Sequence, residues 1–299
     1  PALVGPATAT RQRLQWLLQC RQFLSPSVLR HGHRGIRSGG IGQQAPKNND
    51  NSTPPEPQFS HEYWLNRWQS LTPPDADGGP GAAAWPRWHR PQVHPFLVRH
   101  WAALRSGLKP KDEAAEQQQQ VLVPLCGASL DLTWLSEQPG VSGVVGVDLG
   151  GESVFRRLHL QPPPGRTDLC PGLHRVRSGI VQLYGGDLFH PALRRLEAGQ
   201  SDLVWDRGSL VVINSADRRA YVALLHSLCR PSHRILLETT VFPRALHPGP
   251  PFCVDADQVK ALYSDLYDIQ LLEAFRDEER RLLYNLPELF YHYYLLTAK

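Results

Sequence analysis

"VLVPLCGASLDLTWLSEQPGVSGVVGVDLG", residues 121–150, decides how the chain folds. An apolar run ends in a turn with one glycine, Gly127; a segment of helical length follows, and a second apolar run ends in Asp148. Strand, helix and strand at this spacing make a βαβ unit with parallel strands. A dinucleotide site would place glycines at G-x-G-x-x-G in the first turn, so that backbone can approach a pyrophosphate. Here Pro124, Leu125 and Cys126 precede a lone Gly127, which suits an uncharged ligand group better than two phosphates.

The alternation continues on both sides. Segments 121–124, 143–147, 180–184, 202–205, 234–241, 267–275 and 290–296 read as strands, with helical lengths between most of them. The expected fold is α/β and Rossmann-like: a seven-stranded, mostly parallel sheet with helices on both faces. "YDIQLLEAFRDEERRLLYNLPELFYHYYLLTAK" joins the last two strands without a clear crossover helix, so they read as an antiparallel C-terminal pair. Ahead of the sheet, "FSHEYWLNRWQSL" reads as a helix with Ser60 as N-cap, and "VHPFLVRHWAALRSGL" as a second. A flexible insert at 73–84 separates them.

Bulk properties bound the rest. With 299 residues and 41% hydrophobic content, the chain can bury one sizeable core. The first 49 residues hold no Asp or Glu, and arginines alternate with Leu, Trp and Phe in "RQRLQWLLQCRQFL". Residues 1–38 therefore read as a basic segment of transit-peptide type: mitochondrial if it is an import signal, with a cytoplasmic protein the alternative. Residues 39–58, rich in Gly, Pro and Asn, read as a disordered linker, and 59–299 as the globular domain with an N-terminal lid segment, 59–105. A net charge of +4, concentrated at the N-terminus, indicates no nucleic-acid footprint on the domain. Five cysteines without a C-x-x-C pair argue against a disulfide framework or a metal cluster. No apolar run approaches the ~20 residues of a membrane span, and a monomer is expected.

In an open α/β sheet the ligand sits beyond the carboxyl ends of the strands. Those ends carry Leu125 to Gly127, Asp148, Asp187 and the pair Asp206-Arg207. Any one of them is an ordinary turn or cap residue, but four in register are not. Asp148 lies 21 residues after Gly127, where a carboxylate accepts ribose hydroxyls. Asp187 is placed to accept a purine amine. An adenosine without phosphates points to S-adenosyl-L-methionine.

From about Phe59 onward the chain resembles the thiopurine S-methyltransferase family: W-x-x-x-W near the start, then "PLCG", "VVGVD", "SDLVWDRGSLVVIN", "DRRAY" and "HPGPPF" fall in that family's order. The resemblance implies methyl transfer from S-adenosylmethionine to a thiol or related soft nucleophile. It implies that Trp64 and Trp68 close over the cofactor, that Leu125 and Gly127 line its methionine and ribose, and that Asp148 holds the ribose. Asp187 and Leu188 then flank the adenine, and Arg207 stands beside cofactor and acceptor. Trp88 matches an aromatic position facing the substrate, and His247, Pro248 and Pro250 shape a wall of the acceptor pocket. Asp206 is expected to orient Arg207 or take a residual proton.

The family's second basic residue near the substrate has two candidates, Arg280 and Arg281. The leading expectation is an S-methyltransferase for small aromatic or heterocyclic thiols. The alternatives are methylation of a selenium or tellurium anion or a halide, and a cofactor-binding interaction protein without turnover. A nicotinamide-dependent dehydrogenase is disfavoured by the missing glycines.

Overall fold

The computed structural model describes residues 56–71, 88–108, 118–151, 155, 158 and 165–299, all within one compact unit, Thr53–Lys299. The basic segment 1–38, residues 39–55 of the expected linker and the insert 73–84 lie outside them. The elements run α1 (His61–Leu71), α2 (Pro95–Arg105), β1 (Gln119–Val123), α3 (Asp131–Ser136), β2 (Val141–Asp148), β3 (Gly165–Cys170), β4 (Leu173–Ser178) and β5 (Val181–Gly186). They continue as α4 (Pro191–Glu197), β6 (Ser201–Arg207), α5 (Arg218–Leu228), β7 (Cys229–Val241), α6 (Ala256–Tyr263), β8 (Tyr267–Arg276), α7 (Glu278–Leu283) and β9 (Phe290–Ala298). Ser60 starts α1, its Oγ accepting the Tyr63 N–H at 3.2 Å, which satisfies one of the donors a helix start leaves open. Pro95 opens α2, where a missing N–H costs nothing.

One sheet has the order β3-β4-β5-β2-β1-β6-β7-β9-β8. Its centre, β5 through β7, is parallel. These strands are near-continuous apolar runs, as parallel strands covered on both faces must be. Alternate residues separate two cores. Val121, Val123, Leu203, Trp205 and Leu236 face Leu97, Leu104, Leu132 and Leu135 of α2 and α3. Leu122, Val145, Val204, Ile235 and Leu237 face Leu193, Tyr221, Leu225 and Val259 of α4, α5 and α6. Each fully buried side chain of this size stabilises by about 1.5–3 kcal/mol.

Helices on both faces and an antiparallel C-terminal pair agree with the sequence reading, but the strand count and direction need correction. The sheet has nine strands, and of its eight pairings four are parallel and four antiparallel. The hairpin β3–β4 pairs with β5 and carries the sheet beyond the expected edge. Four of the six β3 residues are exposed, so no apolar alternation marks it. At the other end, β9 inserts between β7 and β8. The chain leaves β1 for β2 on one side and later places β6 on the other, so the crevice between β1 and β6 is the topological switch point.

Candidate active site

The turn after β1 is held from three directions. The Cys126 N–H extends the ladder to the Val147 carbonyl at 3.0 Å, the Gly127 N–H donates to Asp148 Oδ2 at 2.9 Å, and the Ser209 hydroxyl donates to the Pro124 carbonyl at 2.8 Å. Leu125 and Gly127 both have positive φ, +43° and +51°. For Leu125 this left-handed conformation costs roughly 1–2 kcal/mol, and such strain collects at ligand sites. Asp148 is 4% exposed and also accepts the Gly150 N–H at 2.8 Å. Burial pushes its carboxyl up to about 6, against those two N–H bonds. Each carboxylate oxygen so engaged keeps a free lone pair. Cys126 is buried, and burial raises its thiol well above the usual range, so it is an inert packing residue.

Helix α1 crosses the carboxyl ends of the strands. His61 Nε2 stands 3.4 Å from Asp187 Oδ1 after β5. Seven residues on, about 10 Å along the helix, a Cβ built on Gly127 would meet Trp68 Cη2 at 3.5 Å. Trp68 meets Trp88 edge to face at 5.6 Å between centroids, and the Arg67 guanidinium lies 4.8 Å from the Trp88 ring. Trp68, Trp88, Leu125, Gly127, Trp205 and Arg207 share one cleft at the switch point. Trp64 is not among the residues lining that cleft; it meets Phe59 at 6.3 Å. Phe59 is tied to Asn214 through both its N–H and its carbonyl, and Glu56, read from sequence as linker, pairs with buried Arg218 at 2.7 Å. Asp187 accepts the Phe189 N–H at 2.9 Å, and the Leu188 side chain is in the core, leaving its backbone at the strand end.

Arg207 is oriented by a residue that the sequence reading did not single out. Strand register sets Arg207 beside Glu238, and Glu238 beside Tyr293. Arg207 Nε stands 3.5 Å from Glu238 Oε1, while Oε2 accepts the Tyr293 hydroxyl at 2.8 Å and faces His94 Nε2 at 3.0 Å. Burial works to raise Glu238, but His94, Arg207 and Arg90 around it hold it down at about 2. Burial also pushes His94 below its ordinary value, so at pH 7 the imidazole is neutral and the arginines balance the carboxylate. Asp206 needs correction as the partner of Arg207. Its side chain leaves the strand on the opposite face and accepts the Tyr221 hydroxyl at 2.8 Å, with burial pushing it up to about 6.

Asp131 braces the same wall. Its two oxygens accept the His94 N–H at 2.7 Å and the Trp205 indole N–H at 2.9 Å, and it is 2% exposed. Trp205→Phe leaves a buried carboxylate short of a donor and is expected to lower stability by about 1–3 kcal/mol. A thermal melt at neutral pH checks this; an unchanged Tm would mean the bond contributes nothing.

"HPGPPF" forms a fixed loop near this end. The Phe252 N–H donates to the Val211 carbonyl at 2.6 Å, and Thr240 Oγ1 donates to the Phe252 carbonyl at 2.8 Å. Gly249 is required there: its φ is +93°, and a Cβ would stand 2.5 Å from Phe252. His247 packs on Phe242 and Tyr284, and burial lowers its imidazole. His247, Pro248 and Pro250 are not among the residues lining the cleft with Arg207. Of the two C-terminal candidates, Arg280 is turned inward, 9% exposed and acting electrostatically on Tyr291, whereas Arg281 pairs with Glu278 at the surface.

An uncharged turn, a buried carboxylate with spare lone pairs and an arginine at the switch point suit adenosine joined to a sulfonium rather than to phosphates. With this sheet, they mark the class of S-adenosylmethionine-dependent methyltransferases. The sequence model of the family described as Thiopurine S-methyltransferase (TPMT) matches residues 82–298, and the chain belongs to that family; it is an S-adenosylmethionine-dependent S-methyltransferase. The chain is 32% identical over 215 residues to thiopurine S-methyltransferase of Bos taurus, covering 71% of this chain and 84% of that protein. It is 34% identical over 215 residues to thiopurine S-methyltransferase of Nitrosospira multiformis, covering 72% and 86%. Among solved structures it is similar to a SAM dependent methyltransferase from Archaeoglobus fulgidus, 14% identical with a TM-score of 0.44, covering 68% of this chain and 91% of that one. No described helix is long and apolar enough to cross a membrane.

Proposed function

We propose that the acceptor is a small aromatic or heterocyclic thiol, methylated at sulfur. The observation that carries this reading is Arg207, oriented by Glu238 beside the Trp68–Trp88 pair: a cation next to an aromatic wall suits a planar thiolate. When bound, S-adenosylmethionine supplies an electrophilic methyl on a positive sulfur. Asp148 accepts the ribose hydroxyls, Asp187 and the Leu188 backbone flank the adenine, and Trp68 covers the turn at Gly127. Trp64 is assigned to the same lid. Arg207 favours the ionised thiol, and aromatic thiols ionise more readily than the ordinary cysteine value of about 8.5. In-line displacement then needs orientation and exclusion of water more than proton transfer.

Calorimetry and a thiol panel test this. S-adenosylhomocysteine is expected to bind and NAD not to bind; absence of S-adenosylhomocysteine binding would sink the site. With labelled cofactor, methyl is expected on benzenethiol-type and thiopurine-type acceptors. Transfer only to selenite, tellurite or halide would replace the thiol reading.

A further inference from the structure

We propose that Arg90 forms an anion subsite in the acceptor pocket, which selects thiols carrying a carboxylate away from the reacting sulfur. This rests on reading the site as that of a thiol methyltransferase. Arg90 lines the same cleft as Trp88 and Arg207. Its Nε is shut off from solvent and has no hydrogen-bond partner among the described residues. Arg207 Nε also lacks a hydrogen bond but stands 3.5 Å from Glu238, and a buried guanidinium normally ties off its donors. Arg218, fully buried where Arg90 is only half-buried, shows the ordinary arrangement: it donates to the Ile213 carbonyl and to Glu56.

The charge that Arg90 feels most is Glu238, followed by Tyr291, Tyr293 and Asp277, and together they hold its guanidinium above the ordinary value although burial works to lower it. Glu238 is already engaged by Tyr293, His94 and Arg207, and Asp131 by Trp205 and His94. Asp277 accepts the Arg280 N–H as the cap of α7, so among the described residues the nearby carboxylates are committed and the guanidinium of Arg90 is left for a ligand. A carboxylate matches the planar fork of a guanidinium with two parallel hydrogen bonds. The cleft that Arg90 lines also includes the turn at Leu125 and Gly127, but the charges around Arg90 lie toward the C-terminal strands. Tyr291 and Tyr293 lie on β9 and Asp277 just before α7, on the far side of β6 from Asp148. Trp88, two residues away, gives the ring of such an acceptor a face to pack on.

Mercaptobenzoate and benzenethiol share the reacting group and differ in the carboxylate. The wild-type enzyme is expected to prefer mercaptobenzoate in kcat/KM. Arg90→Gln is expected to cut the mercaptobenzoate to benzenethiol selectivity by about tenfold or more, through KM, the scale for losing hydrogen bonds to a charged partner. Arg90→Lys, which keeps the charge but not the fork, is expected to recover part of it. Equal losses on both thiols, or no loss, overturn the subsite. A weaker Kd for S-adenosylhomocysteine with selectivity intact assigns Arg90 to the cofactor's own carboxylate and overturns it as well. If the wild type methylates neither thiol, the thiol reading has failed on its own. The subsite is then read by calorimetry of mercaptobenzoate with S-adenosylhomocysteine present, where Arg90→Gln must weaken binding and an unchanged Kd overturns the proposal.

Discussion

Arg207→Met is expected to lower kcat for an aromatic thiol by about 10²-fold or more, the scale for removing one preorganised charge-stabilising group. The Kd for S-adenosylhomocysteine should move far less. The cation lowers the pKa of the bound thiol, so its loss should also shift the acid limb of the pH–rate profile upward, toward the value of the free thiol. A merely structural role would lower the rate without moving that limb. Glu238→Gln gives the companion result. It keeps the shape but removes the charge that aligns Arg207, across the 3.5 Å contact, and should lower kcat together with Tm, because breaking a buried ion pair leaves charge uncompensated. Asp206→Asn changes a carboxylate bonded to Tyr221 on the opposite face, so its kcat should fall far less than that of Arg207→Met. If Asp206→Asn costs as much, proton transfer through Asp206 returns as an explanation.

That contrast marks where the sequence was legible. Residues at strand ends are local features, and Leu125, Gly127, Asp148, Asp187 and Arg207 could be picked out as candidates because each follows an apolar run at βαβ spacing. Glu238, His94, Arg90 and Asp131 are brought to the site by strand register and by the approach of α2, and no spacing in the chain predicts that meeting. One signal was available. Glu238 interrupts "RILLETTV", a strand otherwise fit for full burial, and a carboxylate there costs several kcal/mol unless partnered. A buried acid in line with Arg207 was the clue to its partner. Asp206 misled because adjacent residues in a strand face opposite ways. Sequence neighbours are the least able to share a site on one face of a sheet.

The hairpin β3–β4 failed for a different reason. Its strands carry Arg166, Asp168, Arg175 and Arg177 around a Pro-Gly turn, which reads as a loop. At a sheet edge both faces tolerate polar side chains, so period-2 apolarity is weak where the burial that produces it is absent. The central strands, buried on both sides, were found for the converse reason. Their directions followed from helical spacers, and the C-terminal pair from the lack of one.

Asp148→Asn is expected to weaken S-adenosylhomocysteine binding by about 1–3 kcal/mol, the scale for hydrogen bonds to a charged group. The carboxylate accepts the N–H groups of Gly127 and Gly150, and under the proposed function its remaining lone pairs take the ribose hydroxyls. An amide can accept at only one end, so the variant sets a donor against one of those N–H groups. The pH dependence separates the charge from the shape. Burial holds the carboxyl at about 6 in the folded chain, above its unfolded value of roughly 3.9. The associated stability is therefore fully present below the unfolded value and is lost as pH rises through about 6. Ligand hydroxyls donating to both oxygens favour the ionised form, so binding promotes release of the proton that the free enzyme holds. The affinity should accordingly fall as pH drops below about 6, by at most about tenfold per unit once the free enzyme is protonated. Asp148→Asn should bind weakly with that slope removed. A variant that binds weakly yet keeps the wild-type slope would move the titrating group away from Asp148.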